Sequence, residues 1–260
     1  MKKILIIISI FLCIQNHSFP QAIHGIQDSS GKYVILISAN AEWKIVKEIF
    51  PDKNYLKSPW GEYFNTKMNI NSKQINIVYF HGGWGKIAAA GSAQYVIDKF
   101  NPEYIINLGT CGGFKGKIEK FATILCTETI VYDIAEAMGD SKEAINDYTT
   151  KIDLSWLNKD YPVTVTESLL VSADKDLVID EIEFLNKEYG AIAGDWETGA
   201  IAYVCNRNNT KLLILRSVSD LVNAVEGEAY GNLELFEQNT KIVMTKLIKE
   251  LPLWIQHIEK

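Results

Sequence analysis

The chain has 260 residues, 47% of them hydrophobic, and a formal net charge of -6. That is enough apolar sequence to bury a full core, in one large α/β domain or two small ones. The acidic balance, with a pI of about 5.3, argues against nucleic-acid binding, which calls for a basic face.

The N-terminus reads as a targeting segment. Lys2 and Lys3 precede an apolar run from Ile4 to Ile14, broken by Ser9, and polar Gln15, Asn16 and His17 follow. Such a run has the length of a signal-peptide core and is too short to span a bilayer. We assign residues 1–22 to a signal peptide, cleaved after Ser18 or Ala22, and residues 23–260 to a single domain. The expected protein is exported, periplasmic or secreted, and its mature chain has no membrane span. The other reading of Ile4 to Ile14 is a first buried strand, which would leave the protein in the cytoplasm.

Tyr33 to Ser38 is a fully buried strand, and a helix over Glu42 to Phe50 stops before Pro51. Asn65 to Lys73 reads as the least ordered stretch, ahead of a strand over Gln74 to Phe80. Gly82-Gly83-Trp84-Gly85 is a flexible turn, and a helix over Lys86 to Phe100 closes at Asn101-Pro102. A short strand over Tyr104 to Leu108 ends in the glycine turn Gly109-Thr110-Cys111-Gly112-Gly113. Ala122 to Thr129 is a strand. Val131 to Asn158 is then either an ordinary excursion or a loop closing over a site. A strand over Leu169 to Ser172 leads to a helix over Leu177 to Tyr189, with Asp174 and Asp176 as candidate caps. A strand over Ala191 to Gly194, a helix over Thr198 to Asn206 and a strand over Leu212 to Ser217 follow. A helical tail over Leu233 to His257 bends or ends near Pro252. Strands alternate with helices throughout, and several strands are continuous apolar runs, the pattern of a sheet covered on both faces.

Ligands in open α/β sheets gather beyond the carboxyl ends of the strands. Four segments deliver polar or glycine residues there: Ala39-Asn40-Ala41-Glu42, Gly109-Thr110-Cys111-Gly112-Gly113, Asp195-Trp196-Glu197 and Ser217-Val218-Ser219-Asp220. Carboxylates at the ends of buried elements are costly to desolvate, so they point to chemistry more than to packing. The glycine turn lets backbone amides approach a ligand, but it lacks both the Rossmann and the phosphate-loop spacing. Of the four cysteines, Cys13, Cys111, Cys126 and Cys205, none forms a Cys-x-x-Cys pair. This spacing supports neither a disulfide framework nor a zinc site.

Together these segments resemble the nucleoside phosphorylase/nucleosidase superfamily, and most of all 5′-methylthioadenosine/S-adenosylhomocysteine nucleosidases. The resemblance runs from about Tyr33 to about Glu250. It is carried by the runs Ile37 to Glu42, Gly83 to Ala90, Ile105 to Gly113, Leu170 to Asp174, Asp195 to Ala202 and Arg216 to Asp220. It implies a three-layer α/β/α fold with a mixed, twisted central sheet, no metal or organic cofactor, a homo-oligomer, and hydrolysis of a purine N-glycosidic bond. By the same resemblance Asp220 protonates the leaving base, Ser219 helps hold it, and Arg216 lies nearby. Glu197 grips the ribose, Glu42 positions the attacking water, and Thr110, Cys111 and Gly112 line the cavity. Trp196, where relatives often have methionine, forms a wall against base or sugar. The leaving purine gathers negative charge that a protonated carboxyl neutralises, which needs a carboxyl whose pKa burial has raised, and an ionised Glu197 favours the cationic sugar of the transition state.

Phosphorolysis is the alternative chemistry, and a non-catalytic nucleoside-binding or storage member of the superfamily is the alternative class. A phosphorylase must hold a dianion, usually with arginines. Arg207 and Arg216 are the chain's arginines. The first lies far from the helix mouth and the second belongs to the acid motif. Lys86 is the best point charge left, and a carboxylate at Glu42 would repel phosphate. The aromatic that stacks on adenine in relatives is missing, because Asp174-Lys175-Asp176 occupies its neighbourhood. Trp84, Trp60 or Tyr132 are the candidate replacements, and His81 is a candidate substrate contact.

Overall fold

The computed structural model describes residues 32–260. The proposed signal peptide lies outside the described residues. In chain order the elements are β1 (Tyr33–Ile37), α1 (Asn40–Ile49), β2 (Leu56–Lys57), β3 (Glu62–Ile70), β4 (Lys73–His81), α2 (Gly85–Phe100), β5 (Tyr104–Phe114) and β6 (Thr123–Val131). There follow α3 (Lys142–Tyr148), β7 (Thr150–Lys151), β8 (Thr166–Ser172), α4 (Ile182–Tyr189), β9 (Ala193–Asp195), α5 (Thr198–Arg207), β10 (Lys211–Val222) and α6 (Leu233–Ile258).

Every residue of β1 is buried, because alternate side chains enter two different cores. Tyr33, Ile35 and Ile37 pack with Trp43 and Val46 of α1 and with Val243, Met244 and Leu247 of α6. Val34 and Leu36 pack with Ala89, Ala93 and Val96 of α2 and with Ile201 and Ala202 of α5. A strand that feeds both cores has no polar face, hence its continuous apolar run.

The sheet is mixed and flanked by helices, as expected. Its strands run β2-β3-β4-β1-β5, then on through β9, β8 and β6 to β10, and β10 pairs back with β5. That last pairing corrects the simple three-layer picture: β5, β9, β8, β6 and β10 close into a ring, and β1 to β4 extend from it as a flap. Closure depends on β5 changing neighbours. Its first residues pair with β1, as far as Leu36 opposite Asn107. Its last pair with β9, Gly112 opposite Gly194 and Gly113 opposite Ala193. Where β5 parts from β1 a cleft opens, and the start of α1 enters it.

The glycine stretch is therefore strand rather than turn. A Cβ at Gly109 would lie 2.0 Å from Nη1 of Arg216 and 2.7 Å from Oε1 of Glu42, so only glycine admits those groups. Asn65 to Lys73, expected to be the least ordered stretch, belongs to a hairpin in which β3 pairs antiparallel with β4. Asn71 and Ser72 at its tip have φ of 49° and 65°, the positive values that tight hairpin turns demand. Helix α6 continues past Pro252 rather than ending there. Among the described residues, no helix is long and apolar enough to cross a membrane.

Candidate active site

The four predicted segments meet at one cavity of about 860 Å³. Glu42, Thr110, Cys111, Gly112, Trp196, Glu197, Ser219 and Asp220 all line it. Arg216 does not line it but sits directly behind, 1% exposed.

Arg216 organises one end. Its Nε lies 3.0 Å from Oδ2 of Asp195, Nη1 3.5 Å from Oε1 of Glu42, and Nη2 3.6 Å from Oε2 of Glu197. Nη1 also donates to the Thr110 carbonyl at 3.2 Å and Nη2 to Oδ1 of Asn107 at 3.1 Å. Asn107 interrupts the apolar run of β5 for this purpose, and its Nδ2 donates to the Leu36 carbonyl at 2.9 Å. One buried guanidinium thus answers three buried carboxylates, the kind of pairing that buried charge requires.

Each acid is held by backbone as well. Glu42, in the first turn of α1, reaches into the split between β1 and β5. Its Oε1 accepts from the Thr110 amide at 2.6 Å and the Thr110 hydroxyl at 2.9 Å, and its Oε2 accepts from the Ala39 amide at 3.2 Å. Asp195 accepts from the amide and hydroxyl of Thr198 at 3.2 and 2.7 Å, capping α5. Glu197 accepts from the Gly85 amide at 3.2 Å.

Burial raises the Glu197 carboxyl to about 8, since Arg216 and the Gly85 amide only partly offset burial and the charges of Asp195 and Glu42. Burial thus works against the ionised form expected of Glu197, and Arg216 works for it. Three carboxylates around a single cation cannot all ionise cheaply out of water.

Asp220 stands at the other end. In β10 the register with β5 shifts between Val218 and Asp220, and such a bulge re-aims the side chains that follow it. The Ser219 hydroxyl donates to Oδ1 of Asp220 at 2.6 Å and lies 3.3 Å from the Cys111 carbonyl. Burial pushes the Asp220 carboxyl above the ordinary range. The Ser219 hydrogen bond opposes this, and the charges of Glu228 and Asp176 add to it. A carboxyl raised in this way is suited to donate a proton.

A phosphorylase superfamily model matches residues 34–251. The chain belongs to that superfamily. The 5′-methylthioadenosine/S-adenosylhomocysteine nucleosidase of Staphylococcus haemolyticus is 26% identical over 238 residues, covering 84% of this chain and 99% of that protein. Among solved structures, the Helicobacter pylori enzyme of the same name, with butyl-thio-DADMe-Immucillin-A, superposes with a TM-score of 0.68 at 18% identity, covering 84% of this chain and 97% of that one. Futalosine hydrolase of Helicobacter pylori gives a TM-score of 0.66 at 18% identity, covering 84% and 96%.

For a superfamily member the departures are informative. Of the Asp174-Lys175-Asp176 run, Asp174 accepts from the Lys86 amide at 2.7 Å, at the start of α2 rather than α4. Lys175 pairs with Glu181 at 2.7 Å and lies over the Tyr132 ring. Asp176 and Lys175 line the cavity. Lys86 is no free point charge, since its Nζ is in close contact with Asp133. Trp84 lines the cavity, its ring 5.1 Å from that of Trp196. Trp60 packs over Gly91, and Tyr132 lies outside the cavity. His81 is also outside, stacked on Trp43 at 5.4 Å. The excursion after β6 contributes no lining residue. The cover instead comes from the segment Ala229 to Phe236, where the Tyr230 hydroxyl donates to the Leu177 carbonyl at 2.5 Å. Sequence reasoning missed Asp195 and Asn107 as site residues. A polar residue inside the run Ile105-Ile106-Asn107-Leu108 was a readable signal for the second.

Proposed function

We propose that this protein is a purine nucleosidase, hydrolysing the N-glycosidic bond of a methylthioadenosine- or adenosylhomocysteine-like nucleoside. One observation carries the choice of water over phosphate: the guanidinium behind the cavity is committed to Glu42, Asp195 and Glu197. The lysine that lines the cavity, Lys175, is paired with Glu181. A phosphate dianion would meet carboxylates with no cation to spare.

In this reading Asp220 protonates the purine as the bond to C1′ stretches, cancelling the charge that builds on the leaving base. Glu197 meets the ribose hydroxyls. Positive charge growing on the sugar lowers its proton affinity, so its anion is favoured most where the transition state needs it. Glu42, fixed on both oxygens, orients the water. Beside Glu197, Trp84 and Trp196 give an apolar wall for the substituent at C5′. The chain is further proposed to be exported after loss of residues 1–22, and to form a homo-oligomer through exposed apolar residues such as Ile87, 83% exposed.

The test is to incubate the protein with methylthioadenosine, adenosine and inosine, with and without phosphate, and follow free base. Release without phosphate is expected. Release only with phosphate would make it a phosphorylase, and binding without turnover a silent member. Mass mapping of the mature N-terminus checks export, a retained Met1 removing that claim, and light scattering checks assembly.

A further inference from the structure

Glu197 is held on its outer side by a single backbone amide, that of Gly85. Gly85 opens α2 with a φ of 83°, which glycine adopts without strain, so the direction of its amide is set by what holds the following residue, and one side chain makes that contact. That contact is Asp174. Its Oδ1 accepts from the Lys86 amide at 2.7 Å, and a Cβ on Gly85 would lie 3.1 Å from the same oxygen. Asp174 is fixed in turn: its own amide donates to Oδ2 of Asp133 at 2.9 Å. Lys86 closes the loop, with Nζ against Oδ1 of Asp133 and 3.9 Å from Oδ2 of Asp174. Three elements meet here, the start of α2, the end of β6 and the end of β8, and none of these three side chains lines the cavity.

We propose that Asp174, braced by Asp133 and Lys86, is a positioning residue for Glu197: it locks the first turn of α2 so that the Gly85 amide points at that carboxylate. The amide favours the ionised acid, so loosening the latch shifts Glu197 toward its protonated form. An anion at a helix start also suits the helix dipole. The side chains are 22%, 16% and 41% exposed for Lys86, Asp133 and Asp174, so replacing them opens no core cavity. The proposal rests on the nucleosidase reading only for its effect on turnover.

The experiment compares Asp174→Ala with Asp174→Asn, which keeps an acceptor for the Lys86 amide. The carboxyl titration of Glu197 is followed by carbon-13 NMR, assigned with Glu197→Gln. The alanine variant is expected to titrate higher by about half a pH unit or more, and the asparagine variant to stay near wild type. With methylthioadenosine and its 2′-deoxy analogue, Asp174→Ala is expected to lose ribose preference several-fold, through kcat more than KM, with rescue by Asp174→Asn. An unshifted Glu197 titration in a folded Asp174→Ala protein would overturn the latch. Should wild type cleave no nucleoside, the functional reading fails, while the NMR comparison still decides this one.

Discussion

At one end of the cavity Glu42, Glu197 and Arg216 are 1%, 4% and 1% exposed, and each is tied to strand or helix backbone. At the other, Asp176 and Tyr230 are exposed loop residues, and Asp220 is the one buried acid. The first end is over-determined: every charge there is the partner of another, so no residue can change alone. The second can change without disturbing the core. Under the proposed function the contrast would divide the labour, with reaction chemistry at the interlocked end together with Asp220 and base selection in loops that the fold leaves free.

The largest expected effect is on the one buried acid of the loose end. Asp220→Asn keeps size and the Ser219 contact but cannot deliver a proton, so turnover should fall by about a hundred- to ten-thousand-fold, with circular dichroism unchanged. A fully active Asp220→Asn enzyme would remove Asp220 as the acid.

Next comes a strike at the interlocked end. Arg216→Met leaves Glu42, Asp195 and Glu197 without their common cation. Breaking a buried pair in this way costs about 3–5 kcal/mol, to be read from urea unfolding. A loss below about 1 kcal/mol would mean that the cluster is not interdependent.

The same cluster predicts a pH signature. Burial carries the Glu197 carboxyl up to about 8 in the fold, from an ordinary value of about 4.3. Between those values the native state binds the extra proton, so stability falls as pH rises through the window, by a few kcal/mol. Below it the contribution is complete, and above pH 8 it is lost. Glu197→Gln removes the titrating group and should flatten that slope. It should also weaken discrimination between ribosides and 2′-deoxyribosides. An unchanged slope would place the proton elsewhere in the cluster.

The contrast also explains what could be read from sequence. The interlocked end was legible because its residues sit in runs whose spacing the strands dictate. Glu42 and Glu197 follow closely on the ends of β1 and β9. Three things were hidden. Gly109 to Gly113 looked like a turn, because glycine signals equally a bend and a close approach, and only the position of Arg216 shows that the second applies. The closed ring was invisible because β10 and β5 meet across more than 100 residues of chain, Lys211 opposite Tyr104, through ordinary strand pairing. The cover from Ala229 to Phe236 carries no periodicity, so nothing local announced its place. The hairpin over β3 and β4 was legible in retrospect, from its Asn71-Ser72 tip.

The smallest effect concerns Asp176, which lines the cavity near Asp220. Its charge, with that of Glu228, adds to the burial that raises Asp220. Asp176→Asn removes that repulsion and lowers the Asp220 pKa. The protonated, competent fraction then shrinks at neutral pH, and kcat/KM should fall there by less than about tenfold, while at acidic pH, where Asp220 is protonated in both proteins, it should not change. Asp176 is exposed, so its field passes partly through solvent. Raising the salt to about 1 M contracts the screening length to about 3 Å and should bring variant and wild type together. Stability should move by less than about 0.5 kcal/mol. A salt-independent deficit would instead show that Asp176 contacts the base directly, and the loose end would then be built as tightly as the other.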